Sequence, residues 1–102
     1  MSPPALSAPQ WERFIRKAAL RSELIVFTMH ALARMKLRGV TRLMVLDVLR
    51  QGKLRRTPEP NAARGTLECR MEYFLSGRDI AVVAAVAPDD PGVVVVTVME
   101  LS

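Results

Sequence analysis

The chain has 102 residues, half of them hydrophobic, and a formal net charge of +5 in which arginine far outnumbers lysine. That length suits one compact domain, and the charge favours a polyanionic partner: nucleic acid, an acidic protein or an anionic membrane surface. One cysteine (Cys69) and one histidine (His30) exclude an intrachain disulfide and a structural zinc site, and the apolar runs near 80–87 and 93–96 are too short to span a bilayer. A cytoplasmic protein with no signal peptide, no membrane partner and no cofactor is expected.

Residues 1–8, with Pro3 and Pro4, read as a disordered tail, and residues 9–102 as a single domain. Ser7 and Gln10 have the spacing of a capping box, and Pro9 fits a first helical turn. Trp11, Phe14, Ile15, Ala18 and Ala19 then recur at helical spacing, with Glu12, Arg13, Arg16, Lys17 and Arg21 turned to water. Ser22 to Phe27 is too short for a helix and β-branched at its centre, so a short strand or extended connector is expected. Thr28 is placed to cap a helix from Met29 to about Leu37 that buries Leu32 and Met35, and Gly39 is its expected left-handed stop. Thr41 caps a second helix, in which Leu43, Met44, Leu46, Val48 and Leu49 are expected to point inward, and Gly52 ends it.

From Lys53 the pattern changes. Lys53 to Thr57 is strand-like, Pro58 and Pro60 bar a helix, and residues 61–65 read as a loop. Leu67 to Leu75 alternates, with Leu67, Cys69, Met71, Tyr73 and Leu75 on one face and Glu68, Arg70, Glu72 and Phe74 on the other. Ser76-Gly77-Arg78 predicts a tight hairpin, Ile80 to Ala87 a strand buried on both faces, residues 88–92 a turn and Val93 to Leu101 the last strand. Helices first and strands later predict an α+β fold: N-terminal helices on one face of an antiparallel sheet of three to four strands. The other face, carrying Glu68, Arg70 and Glu72, is left to be used.

His30, Arg34 and Arg38 fall at i, i+4 and i+8, a narrow arc of one helix. An imidazole near a helix N-terminus is expected to be neutral and able to accept a proton. Guanidiniums match phosphate oxygens. Metal-free RNA cleavage needs a base for the 2′-hydroxyl, cations for the phosphorane and an acid for the 5′-oxygen. His30 suits the first or last of these. Arg34, Arg38 and Arg70 suit the second, and Glu68 or Glu72 suits the remaining proton transfer. The plain alternative is a solvated helix face. Arg50, Lys53, Arg55 and Arg56 form a second basic cluster, which either tracks a nucleic-acid backbone or guards a strand edge. Cys69 alternates with core residues and reads as an inert thiol. No acidic spacing suits a metal, and too few aromatics are present for a base-stacking platform.

The string from Val26 to Thr41, V-F-T-M-H-A-L-A-R-M-K-L-R-G-V-T, resembles the hallmark F-T-x-H-A-x-x-R-M-x-x-R-G-[IV] of a widespread bacterial family of small domains. The likeness continues through Val45 to Leu49 and Gly52, resumes at Glu68-Cys-Arg-Met and ends in Val93-Val-Val-Val-Thr-Val. That family is usually grouped with the RelE, BrnT and MqsR-like toxins of toxin–antitoxin pairs. The resemblance implies a RelE-like fold, mRNA cleavage without metal and an antitoxin partner. The positions that match are His30, Arg34, Arg38, Gly52, Cys69 and Arg70. Leu67-Glu68 stand where many members carry Trp-Lys, so this strand lacks that lysine. The reading is therefore a toxin-like endoribonuclease acting on mRNA. Its alternative is a non-catalytic basic module that binds nucleic acid or an acidic protein.

Overall fold

The computed structural model describes residues 6–101. They form three α-helices and six strands: α1 (Ala8–Ala18), β1 (Ile25–Phe27), α2 (Met29–Arg38), α3 (Arg42–Gln51), β2 (Lys53–Leu54), β3 (Glu59–Asn61), β4 (Thr66–Leu75), β5 (Arg78–Val86) and β6 (Val93–Leu101). The strands make one open sheet in the order β1-β6-β5-β4-β2, and β3 also pairs with β4. The α+β class is as expected, but the sheet is larger than the three to four strands read from the sequence, and it is not wholly antiparallel. β1 pairs with β6 in parallel, Ile25 opposite Val93 and Phe27 opposite Val95. Three residues carry too little periodicity to announce such a pairing.

Each helix begins where its sequence provides an oxygen. Ser7 and Gln10 close the capping box of α1, and residues 1–5 of the expected tail lie outside the described residues. Thr28 Oγ1 accepts from the Ala31 N–H at 3.0 Å, and Thr41 Oγ1 from the Met44 N–H at 3.1 Å. Gly39, at φ 65°, ends α2 in a left-handed cap whose Val40 N–H returns to the Met35 carbonyl at 2.8 Å. Ser76 and Gly77 both have positive φ, giving a two-residue hairpin between Leu75 and Arg78 whose twist suits the flanking strands.

The core lies between the sheet and helices α1 and α3. Cys69 and Met71 of β4, Ile80, Val82, Ala84 and Val86 of β5, and Val93, Val95 and Val98 of β6 are buried there with Trp11, Ile15, Val45, Val48 and Leu49. Leu43, expected inward, is instead 71% exposed, while Val45 is fully buried. Val45, Val48 and Leu49 form the inward stripe of α3, and Leu43 lies two residues from Val45, on the opposite side of the helix. The two helix C-termini are neutralised reciprocally. Arg16 of α1 donates to the Gly52 carbonyl at 2.6 Å and Arg50 of α3 donates to the Ala19 carbonyl at 2.7 Å.

Burial pushes the Cys69 thiol up to about 11. The folded thiol therefore holds its proton where an unfolded one, near 9.0, has begun to lose it, so this group's contribution to stability declines as pH rises from about 9 towards 11. Alkylation of Cys69 at pH 8 should follow global unfolding, and fast labelling of the folded protein would contradict its buried position.

Candidate functional site on the open sheet face

The face away from α1 and α3 is ordered by register. Residues directly opposite on neighbouring strands share a face. Arg70 of β4 pairs with Val83 of β5, and Val83 pairs with Thr97 of β6. Thr97 Oγ1 lies 3.3 Å from Nε2 of His30 on α2. A single row thus runs from Arg70 across Val83 and Thr97 to His30. Two strand spacings, roughly 10 Å of backbone, separate Arg70 from Thr97, and His30 lies beyond Thr97 on α2. The neighbouring row holds Glu59, Glu68, Ala85, Val94 and Val26, and the row on the other side holds Lys53, Glu72, Ala81 and Met99.

A bulge makes this arrangement possible. Val93 and Val95 face the core, and strict alternation would send Thr97 inward too. The pairing of β5 with β6 slips between Val83 and Ala84, so Val98 is buried instead and Thr97 turns to the open face. Thr28 ties the bulge to the helix: its hydroxyl donates to the carbonyls of Val95 (3.0 Å) and Val96 (3.2 Å) while capping α2. Replacing Thr28 by alanine should cost about 1–2 kcal/mol of stability, read in chemical denaturation, because it removes a cap as well as these bonds. An unchanged midpoint would contradict the link.

From Thr28 onward α2 packs along β6. Its far end is held by Arg78, which donates to the carbonyls of Gly39 (3.1 Å) and Arg38 and to Glu100 Oε1 (2.8 Å). The hydrogen bond from Arg78 holds the Glu100 carboxyl below its usual range. The helix therefore cannot roll without breaking contacts at both ends, and its polar stripe stays beside the sheet. His30, Arg34 and Arg38 are all exposed and line one depression with Thr97, Val98 and Met99. His30 also lines a second cleft of about 540 Å³ with Asn61, Arg64, Thr66 and Glu68. Glu68 and Arg70 line a third with Arg56, Thr57 and Glu59. Because His30 and Glu68 each belong to two of them, the three form one trough between α2 and the β2–β3 edge.

The expected site residues are thus divided. His30, Arg34, Arg38, Glu68 and Arg70 all belong to the trough. Glu68 Oε2 accepts from Asn61 Nδ2 at 3.3 Å. Arg70 Nε lies 3.1 Å from Glu72 Oε2, yet its N–H does not point at that oxygen and makes no hydrogen bond, so the attraction is chiefly of charge. Arg55 reaches the same carboxylate at 3.8 Å. The second basic cluster does not stay together. Arg56 lines the trough and Arg55 is exposed beside it, while Lys53 is exposed on β2 and Arg50 turns its Nε–H to the Ala19 carbonyl. Thr97, Asn61, Arg64 and Thr66 join the site without having been singled out from the sequence. Among the described residues, no group of three or more His, Cys, Asp or Glu side chains is arranged to hold a metal, and no helix is long and apolar enough to cross a membrane.

Residues 27–100 match the model of a family described as a domain of unknown function (DUF4258). The chain belongs to that family. The match begins at Phe27 and takes in α2, α3, the sheet from β2 to nearly the end of β6 and every residue of the trough, while leaving out α1 and most of β1. No curated protein and no solved structure matches the chain.

Proposed function

We propose that the trough binds RNA and cleaves it without a metal, as in the toxin-like endoribonucleases that the hallmark string resembles, with an antitoxin as the protein partner. The observation that carries this reading is the row Arg70–Val83–Thr97 ending on His30. It sets an imidazole and a guanidinium on opposite sides of an apolar floor, over which a phosphodiester can lie. Arg34 and Arg38 extend the positive edge along β6. In the proposed step His30 takes the proton of a ribose 2′-hydroxyl as that oxygen bonds to phosphorus. The arginines stabilise the extra negative charge, the bond from phosphorus to the 5′-oxygen breaks, and the leaving oxygen is protonated. Glu68, one row away, is the second proton-transfer group, since Glu72 is held by Arg70 and Arg55. Thr97 orients the ring of His30 and is a positioning residue.

The products would be a 2′,3′-cyclic phosphate and a 5′-hydroxyl. The test is incubation of the purified protein with a mixed-sequence RNA in EDTA, followed by end-group analysis. Cleavage with those ends is expected. The ion pair between Arg70 and Glu72 favours a second reading, because it leaves one fewer free cation for the phosphate. In that reading the basic face is a non-catalytic docking surface for nucleic acid or an acidic protein. It predicts binding that weakens steeply with salt and no cleavage at any protein concentration.

A further inference from the structure

The cleft of about 540 Å³ between His30 and Asn61 is more than a phosphodiester needs. It has the size of a small-molecule site, and its composition is that of one: an apolar floor with a few convergent polar groups. Ala85, Val94 and Val96 form the floor. Met29 lines its rim with 84% of its surface exposed, so its flexible side chain is free to move over the floor. Its thioether is suited to cover an aromatic ring lying on that floor. Arg64, exposed in the β3–β4 turn, brings a flat guanidinium to the same wall.

The polar groups have unspent capacity. Thr66 Oγ1 is buried and has no hydrogen-bond partner among the described residues, a condition that costs about 1–3 kcal/mol and is uncommon in folded proteins. Asn61 pairs with Thr66 across β3 and β4. Its amide nitrogen is directed to Glu68, which leaves its oxygen as an acceptor. The two residues share a face on adjoining strands, so the amide oxygen and, once the buried Thr66 side chain turns to the cleft, the hydroxyl offer an acceptor and a donor, the pattern that the edge of a nucleobase complements. We infer that this cleft is a nucleobase subsite. It takes the base of the nucleotide adjoining the scissile phosphate between Met29 and the Ala85–Val94–Val96 floor, with Asn61 and Thr66 reading its edge.

This inference deepens the RNA-cleaving reading and rests on it for the place of the base, but its test requires no cleavage. The full chain, labelled with ¹³C at methionine methyls and with Met29 assigned through Met29→Leu, is titrated with each of the four ribonucleoside 3′-monophosphates and with ribose 5-phosphate. A saturable shift of the Met29 methyl is expected with at least one nucleotide and not with ribose 5-phosphate. Asn61→Ala and Thr66→Val should each weaken that nucleotide by about tenfold, the loss of one polar contact to a base edge. Thr66→Val should leave the fold intact, since it removes an unpartnered oxygen. Equal response to ribose 5-phosphate, or unchanged affinity in both variants, would overturn the subsite. A chain that binds a nucleotide through Met29 but cuts no RNA keeps the subsite and loses the ribonuclease reading. A chain that cuts RNA with no base-dependent Met29 shift does the reverse.

Discussion

His30→Ala should lower RNA cleavage by about two to four orders of magnitude, the usual contribution of a positioned proton-transfer group. It should leave stability nearly unchanged. The side chain is exposed, and among the described residues its one hydrogen bond is the 3.3 Å contact with Thr97. The comparison that matters is between rate and melting temperature in the same preparation. Loss of cleavage with an unaltered melt assigns His30 to chemistry. Equal cleavage by wild type and variant would remove it from the mechanism and leave Arg34 and Arg38 as a binding stripe. Expressed in bacteria, the variant should relieve any growth arrest that the wild type causes.

Gly52→Ala should be strongly destabilising, although it adds only one methyl group. The backbone of Gly52, at φ −71°, is open to any residue, so its requirement is one of space. A β-carbon there would overlap the Val48 carbonyl oxygen and lie 2.9 Å from the carbonyl oxygen of Glu72. Both obstacles are backbone, so neither can rotate aside. Relief requires the chain at residue 52 to swing off the end of α3, away from the Val48 carbonyl, and α3 to move away from β4, which opens the core around Leu49 and Met71 and loosens the carbonyl of Gly52 from Arg16. A cost of about 2–3 kcal/mol is expected, or a fall in melting temperature of roughly 10–20 °C for a domain of this size. Gly65 and Gly77 have no such neighbours, and their positive φ makes alanine there a matter of local turn strain. A melt for Gly52→Ala within a few degrees of wild type would contradict the close approach of α3 to β4.

Much of this molecule can be read locally. Ser7, Thr28 and Thr41 cap helices because each places an oxygen one turn before an apolar stripe, and Gly39 and Ser76-Gly77 mark their turns through backbone conformations that few other residues accept. The stripe His30–Arg34–Arg38 follows from helical spacing alone. What one chain pass does not reveal is how distant segments meet. β1 has three residues and takes its place only because β6 offers a free edge. β3 contains Pro60, which only bars a helix, and Asn61, where the expected loop begins, yet it pairs with β4 at the sheet edge, where a missing N–H is tolerated. Lys53 to Thr57 was expected as one strand, but only Lys53–Leu54 pairs, and the chain then turns before β3. Ile80 to Ala87, expected to be buried on both faces, buries one face fully while Val83 and Ala85 remain half-buried on the floor of the trough.

Thr97 shows most clearly what was legible and what was not. In Val93–Leu101 it is a polar residue at a core-facing position of the alternation, followed by an apolar residue at a solvent-facing one. That reversal of phase is the mark of a bulge, and it is visible in the letters. Its consequence depends on tertiary pairing: Thr97 meets His30 only because β6 slips against β5 and Thr28 holds the bulge carbonyls. That His30 and Glu68 line one cleft, with Arg70 on the same sheet face, likewise comes from strand register, which local pattern does not specify.

The most direct test of the proposed RNA cleavage uses a pair of short RNAs that carry one mapped cleavage position and differ only there. One has ribose at that nucleotide and the other 2′-deoxyribose, and both are incubated with the purified protein in EDTA. The account predicts cleavage of the first, with a 2′,3′-cyclic phosphate end, and no cleavage of the second. Cutting of the deoxy-substituted strand, or of neither strand, would contradict it.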